Sequence, residues 1–182
     1  TVIVEKQTLP NGSPQTFGFT GDVAGTIGDG GQIVLGNLLP GIYTSTETPV
    51  KGWALTSIVC DDGNSTGDTG TGQATFNLEA GETVTCVFTN TQDGSIEVVK
   101  SLSATGPASE LFSFTSNFNG AFDLEGHAAT TGAVAVTPGS GYSVSENNPS
   151  ATGWVNTGAT CDDGSNPSNI DVSPGETVVC TF

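Results

Sequence analysis

AGETVTCVF at residues 80–88 returns as PGETVVCTF at residues 174–182. Apolar and polar residues alternate through both stretches, which is the period of a strand with one buried face. The fold turns on whether the rest of the chain repeats with them. It does. TVIVEK (1–6) matches SIEVVK (95–100), and FGF (17–19) matches FSF (112–114). LPGIYTSTET (39–48) matches TPGSGYSVSEN (137–147) with one residue inserted; GW (52–53) returns at 153–154 and CDDG (60–63) at 161–164. The offset is 94 at both ends and 101 in the middle, so the insertions are expected in loops.

Short Val/Thr/Phe runs between Gly, Asn, Asp and Pro clusters predict an all-β protein with no amphipathic helix. The repeat predicts two tandem immunoglobulin-like β-sandwich domains, one over 1–90 and one over 95–182, joined by a short linker at 91–94. A join this short, ending in Asp-Gly, predicts a stiff two-domain rod. Copy two stops where copy one continues into TNTQDG (89–94). The chain therefore reads as one period of a longer array, or as a protomer whose last strand a neighbour completes. With no initiator Met and no signal peptide, it reads as a mature or excised piece.

The chain has 19 acidic residues against three Lys and Arg combined, for a net charge of −16. That excludes nucleic acid and anionic membrane surfaces as partners, because both demand basic residues. No apolar run approaches the roughly 20 residues of a membrane span. Four cysteines in a β-rich chain point to disulfides and an extracellular or cell-surface location.

Strand parity places three unusual residues on the core side of copy one. Lys6 follows Val2 and Val4, Glu47 shares a face with Tyr43, and Asn90 follows Val84, Cys86 and Phe88. Copy two repeats the first two as Lys100 and Glu146 but shows no matching asparagine, whose place lies after Phe182 or on another chain. A buried lysine is costly unless paired. Two readings stand: a buried Lys–Glu ion pair, or an amide bond formed from Lys6 to Asn90 with a protonated Glu47 carrying protons.

The order of Lys in the first strand, PGxYxxxE in the middle, then GW, then CxFxN resembles the prealbumin-like modules of bacterial surface proteins. These are relatives of the collagen-adhesin B-type repeats of pilins and adhesins. The resemblance spans both copies. It implies a sandwich of about seven strands, used as stalk, pilus or adhesin spacer, with Lys6, Glu47 and Asn90 as the isopeptide residues. A cysteine pair in each copy departs from that pattern.

Pairing Cys60 with Cys86 and Cys161 with Cys180 is the one connectivity that treats both copies alike. DDG then reads as the polar turn leaving the first cysteine of each pair. Asp61, Asp62 and Asp68 offer oxygens for a weak calcium site without matching the EF-hand spacing; no other cofactor is expected. Asn11 and Asn64 stand in glycosylation sequons within expected loops.

No catalytic arrangement emerges, and the lone His127 has no counterpart in copy one, so no enzymatic activity is expected. Trp53 and Trp154 could serve as sugar platforms, but their matched strand positions favour packing. The sequence thus points to a structural subunit of an extracellular fibre, pilus or stalk, its copies joined head to tail, with β-strand addition between protomers as one joining mode. An adhesin or carbohydrate-binding module, with glycans as partners, is the alternative.

Overall fold

The computed structural model describes residues 1–103, 110–149 and 153–182. The chain divides into two compact units, Thr1–Gln92 and Asp93–Phe182.

In the first unit, β1 (Val2–Leu9) lies between β4 (Gln32–Leu35), antiparallel, and β9 (Val84–Gln92), parallel. The antiparallel β6 (Trp53–Cys60) completes this four-stranded sheet on the other side of β9. A second sheet orders β3 (Gly25–Gly28), β2 (Thr16–Gly21), β5 (Gly41–Glu47), β8 (Gln73–Leu78) and β7 (Thr66–Asp68). Strict alternation drives the packing. Val2, Val4, Val84, Cys86 and Phe88 of the first sheet meet Phe17, Phe19, Ala74, Phe76 and Leu78 of the second in one core. Each such side chain contributes about 1.5–3 kcal/mol of burial for the largest members.

The second unit repeats this plan in shorter pieces. Here β10 (Gly94–Val99) pairs parallel with β18 (Thr177–Thr181) and antiparallel with β13 (Val134–Val136), while β16 (Thr160–Cys161) flanks β18. Strands β11 (Leu111–Ser116), β12 (Gly120–Glu125) and β15 (Val144–Glu146) form a three-stranded sheet, and β14 (Gly139–Tyr142) pairs with β17 (Ile170–Val172). Where copy one has the single strand β5, copy two has β14 and β15. The extra residue in PGSGY sits at a register shift between Gly139 and Tyr142, so it makes a β-bulge rather than lengthening a loop. That corrects the expectation that every insertion falls in a loop.

The two units share their finer devices. Tyr43 Oη donates to Leu39 O (2.8 Å) and Tyr142 Oη to Thr137 O (2.7 Å), pinning the PGxY turns. In GET, Glu82 accepts from Glu79 N and Glu176 from Ser173 N, both at 2.7 Å, closing each turn with its own carboxylate. Trp53 packs edge-on against Phe17 (centroids 5.5 Å) and Trp154 against Phe112 (5.7 Å). Both indoles are half-buried, which favours packing over the platform reading.

Strand β9 continues to Gln92, beyond the expected domain edge at 90, and β10 begins at Gly94. Gly94 therefore opens a strand and makes no hairpin turn. Its lack of a side chain is a packing matter: a Cβ there would lie 2.3 Å from Val172 Cγ1 and 3.1 Å from Glu176 O.

Candidate intramolecular cross-link site

Parity along β1 carries Lys6 inward after Val2 and Val4, and parity along β9 carries Asn90 inward after Phe88. Glu47 closes β5 on the opposing sheet. All three meet inside the first unit, exposed by 0 %, 1 % and 4 % respectively for Lys6, Asn90 and Glu47. Lys6 Nζ donates to Asn90 Oδ1 at 2.7 Å, to Phe88 O at 2.9 Å and to Gln7 O at 2.8 Å. It also stands 4.4 Å from the centre of the Phe17 ring. Asn90 Nδ2 donates to Glu47 Oε1 at 2.7 Å, while Glu47 Oε2 lies 3.7 Å from Nζ. That oxygen has no hydrogen-bond partner among the described residues.

Burial dominates the electrostatics. Loss of solvation lowers Lys6 from 10.5 to about 8, outweighing the attraction of Glu47. Loss of solvation also raises Glu47, against the opposing effects of the Asn90 hydrogen bond and the Lys6 charge. Both shifts favour the neutral forms, an amine beside a carboxylic acid. Passing one proton from Nζ to the unpartnered Oε2 yields that pair, with the carboxamide against the freed amine.

A pH window follows. The reactive pair, neutral Lys6 and protonated Glu47, holds one exchangeable proton between the two groups. Coupling of Lys6 to Asn90 in freshly folded chain is expected to fall above about pH 8, where that proton is lost, because Lys6 titrates there. It is expected to fall again below the raised pKa of Glu47, where a second proton is gained. Mass spectrometry of chain refolded at a series of pH values reads this profile. A rate still climbing well above about 8 would take Glu47 out of the chemistry.

The second unit holds the same pair differently. Lys100 Nζ lies 2.5 Å from Glu146 Oε1 and 4.4 Å from the Phe112 ring centre. The other carboxylate oxygen, Glu146 Oε2, accepts from Asn156 Nδ2 at 2.5 Å. Sequence reasoning missed Asn156, because the counterpart two residues after the tryptophan in copy one is Leu55.

Both disulfides join directly opposed residues. Cys60 faces Cys86 across β6 and β9, and Cys161 faces Cys180 across β16 and β18, each with Cα atoms 4.0 Å apart. The DDG that follows each first cysteine is a strand terminator. Asp61 N donates to Thr85 O (3.0 Å) and Asp61 Oδ1 accepts from Thr85 N (2.8 Å), so its side chain replaces a backbone carbonyl in the ladder. Asp162 does the same with Val179, at 3.0 and 2.8 Å. The second aspartates, Asp62 and Asp163, accept from Ser65 and Ser165.

The candidate calcium residues already accept hydrogen bonds. Asp61 and Asp62 are committed to backbone and serine donors, and Asp68 accepts from Gly70 N at 2.8 Å. Among the described residues no group of three or more His, Cys, Asp or Glu is gathered for a metal. Asn11 and Asn64 are both exposed, although Ser65 of the second sequon also accepts from Asn77 N at 2.9 Å. His127 Nδ1 accepts from Leu102 N at 2.8 Å on the surface. No helix among the described residues is long and apolar enough to cross a membrane.

No curated protein matches the chain. Among solved structures it is similar to the Bacillus anthracis TIE protein, at 16 % identity and a TM-score of 0.37 over 100 % of this chain and 33 % of that one. It is also similar to a streptococcal ancillary pilin, at 15 % identity and 0.33 over 99 % and 61 %. A major pilin from Streptococcus pyogenes gives 14 % and 0.34 over 99 % and 96 %. The chain thus spans a third of the first and about three-fifths of the second. Family models described as prealbumin-like fold domains match residues 2–92 and 90–182, and the chain belongs to that family as two such domains in tandem.

Proposed function

We propose that the chain is a covalently stapled structural segment of an extracellular fibre, pilus or stalk, and that Lys6 and Asn90 are joined by an amide. The observation that carries this reading is the 2.7 Å approach of a fully buried lysine Nζ to the Asn90 carboxamide, with Glu47 bonded to that same carboxamide. In the reaction Nζ attacks Asn90 Cγ. The Nζ–Cγ bond forms and the Cγ–Nδ2 bond breaks. Nζ gives two protons in turn to Glu47, which hands one to Nδ2 and keeps the other, and neutral ammonia leaves. A cavity walled by Trp53, Leu55, Thr71 and Gly72 reaches Glu47 and Asn90, offering that ammonia a way out.

Repetition and covalent closure support a structural role. Tandem units, one disulfide in each and an acidic surface suit a soluble fibre in an oxidising environment. Intact mass of the denatured, reduced chain tests the reading. A deficit of one ammonia against the sequence supports it, and the full sequence mass overturns the amide, leaving Lys6 and Glu47 an ion pair.

A further inference from the structure

Both units contain the same hydrogen-bonded turn, built with different chemistry. In the first, Lys6 N donates to Gly31 O at 3.0 Å and Gly30 N to Lys6 O at 2.8 Å. In the second, Lys100 N donates to Ala129 O at 2.9 Å and Ala128 N to Lys100 O at 2.7 Å. These bonds align GDGG (28–31) with GHAA (126–129), so Asp29 and His127 hold the same place. The backbone agrees: Gly30 and Ala128 follow them with φ of 70° and 60°. Alanine is rarely left-handed, yet the second unit keeps the turn. Each of the two residues accepts from the backbone two positions beyond the buried lysine. Thr8 N donates to Asp29 Oδ1 at 2.6 Å, and Leu102 N donates to His127 Nδ1 at 2.8 Å. By motif His127 has no counterpart in the first unit; by hydrogen bonds its counterpart is Asp29.

The exchange changes what a proton does at this place. The backbone N–H of Gly12, 2.7 Å away, and that of Thr8 hold the Asp29 carboxyl below the usual carboxylate range. It therefore stays an acceptor in mild acid. An imidazole accepts only through its unprotonated nitrogen, and an imidazolium donates from both. A protonated His127 would set its own N–H against that of Leu102. We propose that His127 is a proton-operated latch: as the pH falls between about 8 and 5 it lets go of Leu102 and frees the chain that leaves β10 through Lys100, while Asp29 holds the same point of the first unit closed. Few charged groups lie on the elements that meet this turn. Lys100 points inward to Glu146, Glu97 accepts from Thr130, and Glu110 receives Gly126 N on its backbone carbonyl at 2.8 Å. Glu125 lies two residues before the ring, and residues 104–109 carry no titratable side chain. Histidine is the side chain whose charge changes in that window. The inference goes beyond the structural role proposed above and needs no amide in either unit.

NMR of the isotope-labelled full chain, titrated from about pH 8 to 5, tests this. The Leu102 amide signal is expected to move in step with the ring protons of His127. Across that step the protection of Leu102 N–H against exchange should fall roughly two- to tenfold, the worth of one such hydrogen bond. Thr8 N–H should stay unchanged until the pH reaches the carboxylate range at about 4. Two exchanged residues sharpen the result. His127→Asp should keep Leu102 protected through the whole window, and Asp29→His should transfer the step to Thr8. A Leu102 signal that stays still while the His127 ring titrates overturns the proposal. So does a step at Leu102 that persists in His127→Asp, which would hand the effect to another group. Should Asp29→His fail to fold, the parent chain and His127→Asp decide the question between them.

Discussion

Glu47→Gln is expected to give a folded chain of full sequence mass, without the ammonia loss proposed for the parent chain, and with much of the first unit's stability gone. The substitution keeps the shape of the side chain but removes the group that takes and returns the proton. Lys6 then loses the attraction that opposed its desolvation, so its amine is neutral more readily, but no group within reach takes and returns the proton. The proposed amide would close a separation of 84 residues. By the chain-entropy model a loop of that length is worth about 4.5 kcal/mol. For a domain of this size that corresponds to a melting temperature lower by roughly 15–30 °C. Calorimetry and intact mass on one sample check both halves. If the variant still lacks an ammonia, Glu47 is not the proton carrier.

Reduction of the disulfides should separate the two units thermally. Cys60–Cys86 and Cys161–Cys180 close separations of 26 and 19 residues. Each is worth about 3 kcal/mol on the same model. After reduction the proposed Lys6–Asn90 amide would still close the first unit, while the second has the Lys100–Glu146 pair and its core. The second unit should therefore unfold first, in a transition well below that of the first. Hydrogen exchange resolves the order: in reductant, amides of Ile170–Val172 should lose protection while those of Gln73–Leu78 keep it. Loss of protection at the same temperature in both stretches would leave no role for an amide in the first unit.

Alternation made much of this fold legible. In β1 and β9 every second residue is buried, so counting by twos from Val2 and Val84 leads to Lys6 and Asn90. The two GW and CDDG stretches announced the repeat. What parity could not show lay where the ladder breaks. An inserted residue in PGSGY can lengthen a loop or bulge a strand, and the sequence is the same for both. Asn156 falls in a segment without a ladder, where no parity assigns it a face. The aspartates of CDDG were readable as turn formers. That Asp61 and Asp162 stand in for a carbonyl of the next ladder step depends on the opposing strand, which no local pattern encodes.

The parallel pairing of β1 with β9 has a mechanical consequence. A tensile force applied at Thr1 and Gln92 runs along β1, and with the amide in place it crosses from Lys6 to Asn90 and leaves by β9. Residues 7–89 then lie outside the load path. Without the bond, residues 7–60 and 86–89, which lie outside the Cys60–Cys86 loop, could pay out roughly 200 Å of slack once the strands sheared apart. In the second unit the Cys161–Cys180 disulfide shields only the residues between its two cysteines. Lys100 there meets Glu146 as an ion pair, so that unit unravels under a sudden pull that the proposed amide would let the first unit resist.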